Sequence, residues 1–217
     1  MRNARISLWI VVSGLCCLIM AAPGCGYLAQ MLYVIKGHKV KAECNKLEGK
    51  KVAVVCVSDS AAYGPDRLTQ TVARAMAAKL SASVKKVQMV SQAKVENWMD
   101  LNGWTGKELT ALGQGVGAEM LVVIDMRDYT IHDGQTLYKG QSHVSVTVYD
   151  MTQGGQVVFS FGPIDHVFPK TGRPAIQTSD RQFEAFYLAR LTDHLSRLFY
   201  DTDRLDEVAE DAMMNSF

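Results

Sequence analysis

The sequence predicts an α/β fold: a single mixed-sheet domain in the order β-α-β-α-(α)-β-β-β-α, with helices packed on the sheet. Three observations carry that prediction. Lys51-Val52-Ala53-Val54-Val55-Cys56-Val57 and Met120 to Ile124 are short runs that are apolar on both alternating faces, the pattern of strands covered from both sides. Between them, apolar residues recur at helical spacing. After them, His143 to Tyr149 alternates, with Val144, Val146 and Val148 on one face and His143, Ser145, Thr147 and Tyr149 on the other.

The elements follow in order. Tyr63-Gly64-Pro65-Asp66 opens a helix, with Pro65 in the first turn and Leu68, Val72, Ala75, Met76 and Leu80 on one face. Val84 to Val90 reads as a second strand. Ser91 starts a helix through Leu101, which Asn102-Gly103 stops. Thr105 and Glu108 have the spacing of a capping box for a short helix carrying Leu109, Leu112 and Val116. The run from Met120 extends to Ile131 and turns at Asp133-Gly134. The strand from His143 to Tyr149 turns at 150–155 into a closing strand, Gln156 to Phe161, making an antiparallel meander. Residues 162–177, with Pro163, Pro169 and Pro174, read as a loop. Ser179 and Gln182 form a second capping box, opening a long helix with Phe183, Tyr187, Leu191, Leu195 and Leu198 on one face. The first and third strands should lie side by side and parallel.

The chain has 217 residues, of which 48% are hydrophobic and 21% charged, which excludes a disordered protein. Lys plus Arg number 23 against 22 Asp plus Glu, so no basic excess points to nucleic acid. Residues 1–24 read as a secretory signal: Arg2 and Arg5, then an apolar run from Ile6 to Met20, then small residues. Ala22-Pro23-Gly24-Cys25 resembles a lipoprotein box, in which the cysteine carries the lipids. The alternative is plain secretion or an uncleaved anchor, with Cys25 an ordinary cysteine. Residues 25–49 read as a tether or arm, either a short element docked on the domain or a segment at the membrane surface. Residues 50–200 form the domain, and 201–217 an acidic tail with a weakly amphipathic pattern.

Taken together, these stretches resemble an envelope-lipoprotein superfamily. It includes the curli secretion-channel lipoprotein, the outer-membrane lipoprotein activators of penicillin-binding proteins, and the N-terminal domain of the Tol-system propeller protein. The resemblance lies in Lys51 to Val55, Val87-Gln88-Met89-Val90-Ser91, Gly117-Ala118-Glu119 with the strand after it, Val146-Thr147-Val148-Tyr149-Asp150, and Gly154 to Val158. Residues 27–43 and the proline-bearing stretch before the last helix resemble a narrower, planctomycete-type lipoprotein group. The superfamily implies an envelope protein that binds other proteins, with no catalytic residue to carry over. The chain has no amphipathic hairpins long enough for a channel wall.

Motifs with chemistry are few. Gly113, Gly115 and Gly117 follow a helix and precede a strand, the reverse of a dinucleotide fingerprint. Ser58-Asp59-Ser60 sits between strand and helix, where it caps or turns the chain or holds an anion. His38, His132, His143, His166 and His194 show no metal-ligand spacing. His194 falls on the apolar side of the last helix, as a half-buried packing residue. Cys44 and Cys56 are either bridged or free, and Trp98 and Trp104 read as core or rim. No cofactor, metal or catalytic residue is expected. The expected partners are a membrane, through lipid on Cys25, and an envelope protein held on the face of His143, Ser145, Thr147 and Tyr149. Two other readings stand against this one: a hydrolase with a polar pocket at the strand ends, and a small-ligand or lipid carrier with an apolar cavity.

Overall fold

The computed structural model describes residues 39–59, 66–134, 137–169 and 179–203. The leader, with Cys25, lies outside the described residues, as do residues 27–38, Pro65, residues 170–178 and the tail from 204 onward. The chain divides into two compact units. In the smaller one, the described residues form a two-residue antiparallel ladder, β1 (Lys39–Val40) with β7 (Thr202–Asp203).

The larger unit spans Lys41–Asp201 and is an α/β domain. Its described sheet has the order β3-β2-β4-β5-β6. The strands are β2 (Lys51–Ser58), β3 (Gln88–Met89), β4 (Met120–Asp133), β5 (Leu137–Asp150) and β6 (Gln156–Phe168). β2 runs parallel to both β3 and β4, while β4, β5 and β6 form the expected antiparallel meander. Both-face apolar patterning explains the centre. Val52 and Val54 of β2 face one side and Ala53 and Val55 the other, and all four are buried. Burying one such valine contributes about 1.5–3 kcal/mol.

Helices cover the two faces unequally. α1 (Arg67–Ser83) and α4 (Asp180–Ser196) share a core with Val144, Val146 and Val148 of β5. α2 (Gln92–Asn102) and α3 (Leu109–Gly115) cover Ala53, Val55, Leu121 and Val123 on the other face, over β2 and β4. Asp66 caps α1 through Thr69 N–H, and Ser179 and Gln182 form the capping box expected at α4.

Four local readings need correction. The second strand is two residues long, not seven. α1 runs on to Ser83, Val84 N–H still bonds to Leu80, and Lys86 turns the chain at φ 56°. Val84 and Val90 are nonetheless buried. Glu108 does reach back to Thr105, accepting its N–H and hydroxyl, but α3 begins at Leu109, so Thr105 stands in the turn before it. Ser91 precedes α2 without a side-chain capping bond.

The fourth correction concerns β6, which does not stop at Phe161. It continues to Phe168 through Gly162-Pro163, where two residues oppose Ser145 between the pairs Val146–Phe161 and Val144–Ile164. β6 lies at the edge of the sheet among the described residues, where a proline that lacks N–H is tolerated. Gly162 has φ 86°, and a Cβ there would sit 2.7 Å from Val144 O, so this bulge needs glycine.

Tyr187 of α4 anchors the last helix to the meander. It is fully buried, donates to His166 O at 3.0 Å, and pairs with Ser142 Oγ at 2.6 Å. Burial pushes its phenol up to about 12, so it remains a neutral donor. Its ring fills the space a side chain at Gly140 would need. Gly140→Ala should therefore destabilise the domain by about 1–3 kcal/mol through overpacking, read as a lower denaturation midpoint.

Asp193 of α4 bonds Lys79 of α1 and Arg197. Burial alone would raise its pKa, but the bonds from Lys79 and Arg197 hold it below the usual carboxylate range. A depressed folded-state pKa adds stability above the unfolded value of about 3.9, and that stability is lost as pH falls through the folded value. Asp193→Asn should lower stability at neutral pH and flatten the acid limb of a pH–stability curve below about pH 4.

Candidate functional site

The alternation of β5 places His143, Ser145, Thr147 and Tyr149 on the face away from α1 and α4, each half-buried. α2 and α3 reach only the β2–β4 side of that face, and Tyr149 packs against their core. Beyond it the register sets charged and polar residues in rows. Arg127 of β4 lies opposite His143, which lies opposite Asp165 of β6. Asp125 lies opposite Ser145, and Thr147 opposite Ser160.

Asp125 and Arg127 stand two residues apart on one strand, so their side chains share a face. Arg127 donates to Asp125 twice, through Nε at 3.2 Å and Nη2 at 2.7 Å. That bond raises the guanidinium pKa, and the charges of Asp59 and Asp128 add to the effect. His143 Nδ1 lies 2.7 Å from Asp165 Oδ1.

Where β2 ends, beside the middle of β4, the two strands border a cleft of about 400 Å³. Its walls are Cys56, Val57, Ser58 and Asp59, the turn from Trp104 to Lys107, and Asp125 with Arg127. Asp59 accepts the Asp128 N–H at 3.2 Å, tying the end of β2 to the middle of β4. Asp128 has φ 51°, a left-handed conformation that aspartate tolerates, at a register shift in β4. A second hollow of about 270 Å³ is lined by Asp125, Arg127, His143, Ser145 and Pro163. The Asp125–Arg127 pair therefore stands between the cleft and the open sheet face.

The sequence reading named His143, Ser145, Thr147 and Tyr149, and the structure brings them onto one surface. It missed Asp59, Lys107, Asp125 and Arg127 as a group. A signal was present: both central runs change from apolar to polar at their carboxyl ends, where α/β sheets hold ligands.

The glycines of α3 are packing positions, with Met151 against Gly113 and Trp98 against Gly115. Trp104 is buried and Trp98 half-buried in that layer, their rings 6.4 Å apart and edge-on. His194 is exposed rather than half-buried, because its position on α4 faces outward beside the His166 ring. Among the described residues, no group of three His, Cys, Asp or Glu is placed to hold a metal ion. Among the same residues, no helix is long and apolar enough to cross a membrane.

No protein-family model matches the chain, and no curated protein matches it. Several solved structures do. The lipoprotein GNA1162 from Neisseria meningitidis aligns at 16% identity and TM-score 0.43, covering 67% of this chain and 97% of its own. The PelC dodecamer from Paraburkholderia phytofirmans aligns at 12% identity and TM-score 0.44, covering 75% and 96%. The LpoB C-terminal domain from Salmonella enterica aligns at 12% identity and TM-score 0.37, covering 62% and 89%. These matches give no support to the narrower planctomycete-type resemblance.

Cys44 and Cys56 are free thiols, each buried, and burial raises the pKa of both. Because the thiolate is the reactive form, native alkylation should leave both unlabelled. Label should enter only in denaturant, read cysteine by cysteine by mass spectrometry.

Proposed function

We propose that this chain is a secreted envelope protein, anchored by lipid on Cys25, that binds a partner protein without catalysis. The partner docks on the open face of β4, β5 and β6, around His143, Ser145, Thr147 and Tyr149. One observation carries the docking surface: the other face of the same strands lies under α1 and α4, while this face carries no described helix beyond β4. The surface alternates apolar Tyr149 and Val157 with hydroxyls and charges, as protein-binding surfaces do. Val157, opposite Tyr149, is 49% exposed. The anchor rests on the leader and the sequence around Cys25. Several acyl chains there would hold the chain on a membrane, since each buried CH₂ contributes about 0.8 kcal/mol.

The cleft at the end of β2 favours one alternative, binding of a small polar ligand, over a lipid carrier. Its walls set the charges of Asp59, Lys107, Asp125 and Arg127 beside apolar surface from Val57 and Trp104, and the other large apolar side chains are packed into the two cores.

Cys25→Ser should abolish incorporation of a fatty-acid probe and move the protein out of the membrane fraction. Labelled protein in the variant would overturn the anchor. A photo-reactive residue at Thr147 should cross-link one defined envelope protein, and the same residue at Ala78, exposed on α1, should not. Equal capture from both positions, or from neither, would overturn the docking surface.

A further inference from the structure

The cleft lies at the carboxyl end of β2, beside the middle of β4. The connection after β2 passes through α1 on one face of the sheet, and the connection into β4 passes through α2 and α3 on the other. The chain leaving β2 turns to the α1 face, while the turn from Trp104 to Lys107, between α2 and α3, borders the cleft from the other face. Open α/β sheets bind ligands outside the carboxyl ends of their strands, where the end of β2 stands here. The cleft volume of about 400 Å³ falls within the usual range for small-molecule sites.

The chemistry of the walls selects the ligand. Lys107 and Arg127 supply positive charge, and Asp59 and Asp125 negative charge. Arg127 spends two of its N–H groups on Asp125, and guanidinium has five, so donors remain for an incoming carboxylate. Arg127 is held in place by that pair while its side chain stays 63% exposed, which makes it a pre-set carboxylate receptor. Asp59 accepts the Asp128 N–H through Oδ2, leaving acceptor positions at Oδ1 for an ammonium. The carboxylates disfavour a phosphate or another polyanion, and the two cations disfavour a simple polycation. Trp104 and Val57 add an apolar wall for a small side chain. The second hollow continues past Asp125 and Arg127 to His143 and Ser145, so the site is longer than a single amino acid.

We propose that this cleft binds a short zwitterionic peptide, its carboxylate on Arg127 and Lys107 and its ammonium on Asp59. This site meets the partner surface at His143 and Ser145 but does not reach Thr147, and either can exist without the other.

The test uses the full chain in detergent and trialanine as the probe, followed by calorimetry and by the Trp104 indole resonance. Trialanine should bind, and trialanine acetylated and amidated at its two ends should not. Arg127→Gln and Asp59→Asn should each weaken binding by about tenfold, equivalent to about 1.4 kcal/mol. Lys107→Gln, on an exposed turn, should weaken it as well and serves if Arg127→Gln alters folding. Thr147→Lys should leave trialanine binding unchanged while blocking the partner cross-link, so the two readings fail separately. No binding of trialanine at millimolar concentration, equal binding of the capped peptide, or full affinity in Arg127→Gln and Lys107→Gln would overturn the proposal.

Discussion

The parallel pairing of β2 with β4 is the constraint from which the rest of the domain follows. The ladder runs from Val52–Met120 to Ser58–Met126. Parallel neighbours cannot be joined by a tight turn, so the chain must leave the sheet and return over its face. Here it does so through three helices, and the two paths put α1 on one side and α2 with α3 on the other. Both faces of these two strands are thereby covered, which is why their sequences are apolar at consecutive positions. Once the chain leaves β4 by a hairpin, that obligation ends. β5 and β6 need cover on one side only, and α4 supplies it.

The unequal cover explains where polar chemistry gathers. At the β2–β4 centre no polar side chain is tolerated, and the first ones appear where the strands outrun their helices, at Ser58, Asp59, Asp125 and Arg127. On β5 the same relaxation occurs sideways, so every second residue from His143 to Tyr149 is only half-buried. The Asp125–Arg127 pair sits where these two margins intersect.

Much of this was legible in the sequence. Runs such as 51–57 and 120–124 carry an unambiguous signal because burial on both faces leaves no room for polar residues. The alternation of β5 and the Ser179–Gln182 box were equally readable, since each depends on local spacing alone. The shortness of β3 was not. Val84, Val87, Met89 and Val90 are apolar for packing reasons while their backbone mostly finishes a helix and turns. The continuation of β6 was hidden for the opposite reason: glycine and proline read as loop, and only the edge position makes them compatible with pairing. The cleft was only half legible: the change to polar residues at the ends of the two apolar runs marks its β2 and β4 walls, but Lys107 comes from a segment that meets them only after folding.

The interruption at Gly162-Pro163 bears on how such proteins coexist at high density. An exposed rim strand offers its free amides and carbonyls to any neighbouring chain, and a long uninterrupted one invites stacking into fibrils. Gln156 to Phe161 is uncharged and rich in β-forming residues, the composition that such stacking favours. Two residues later the missing amide and the kink break the template, so a foreign strand finds only a short register on which to grow. The feature that most misled the sequence reading thus shortens the open edge on which copies of the described sheet could pair.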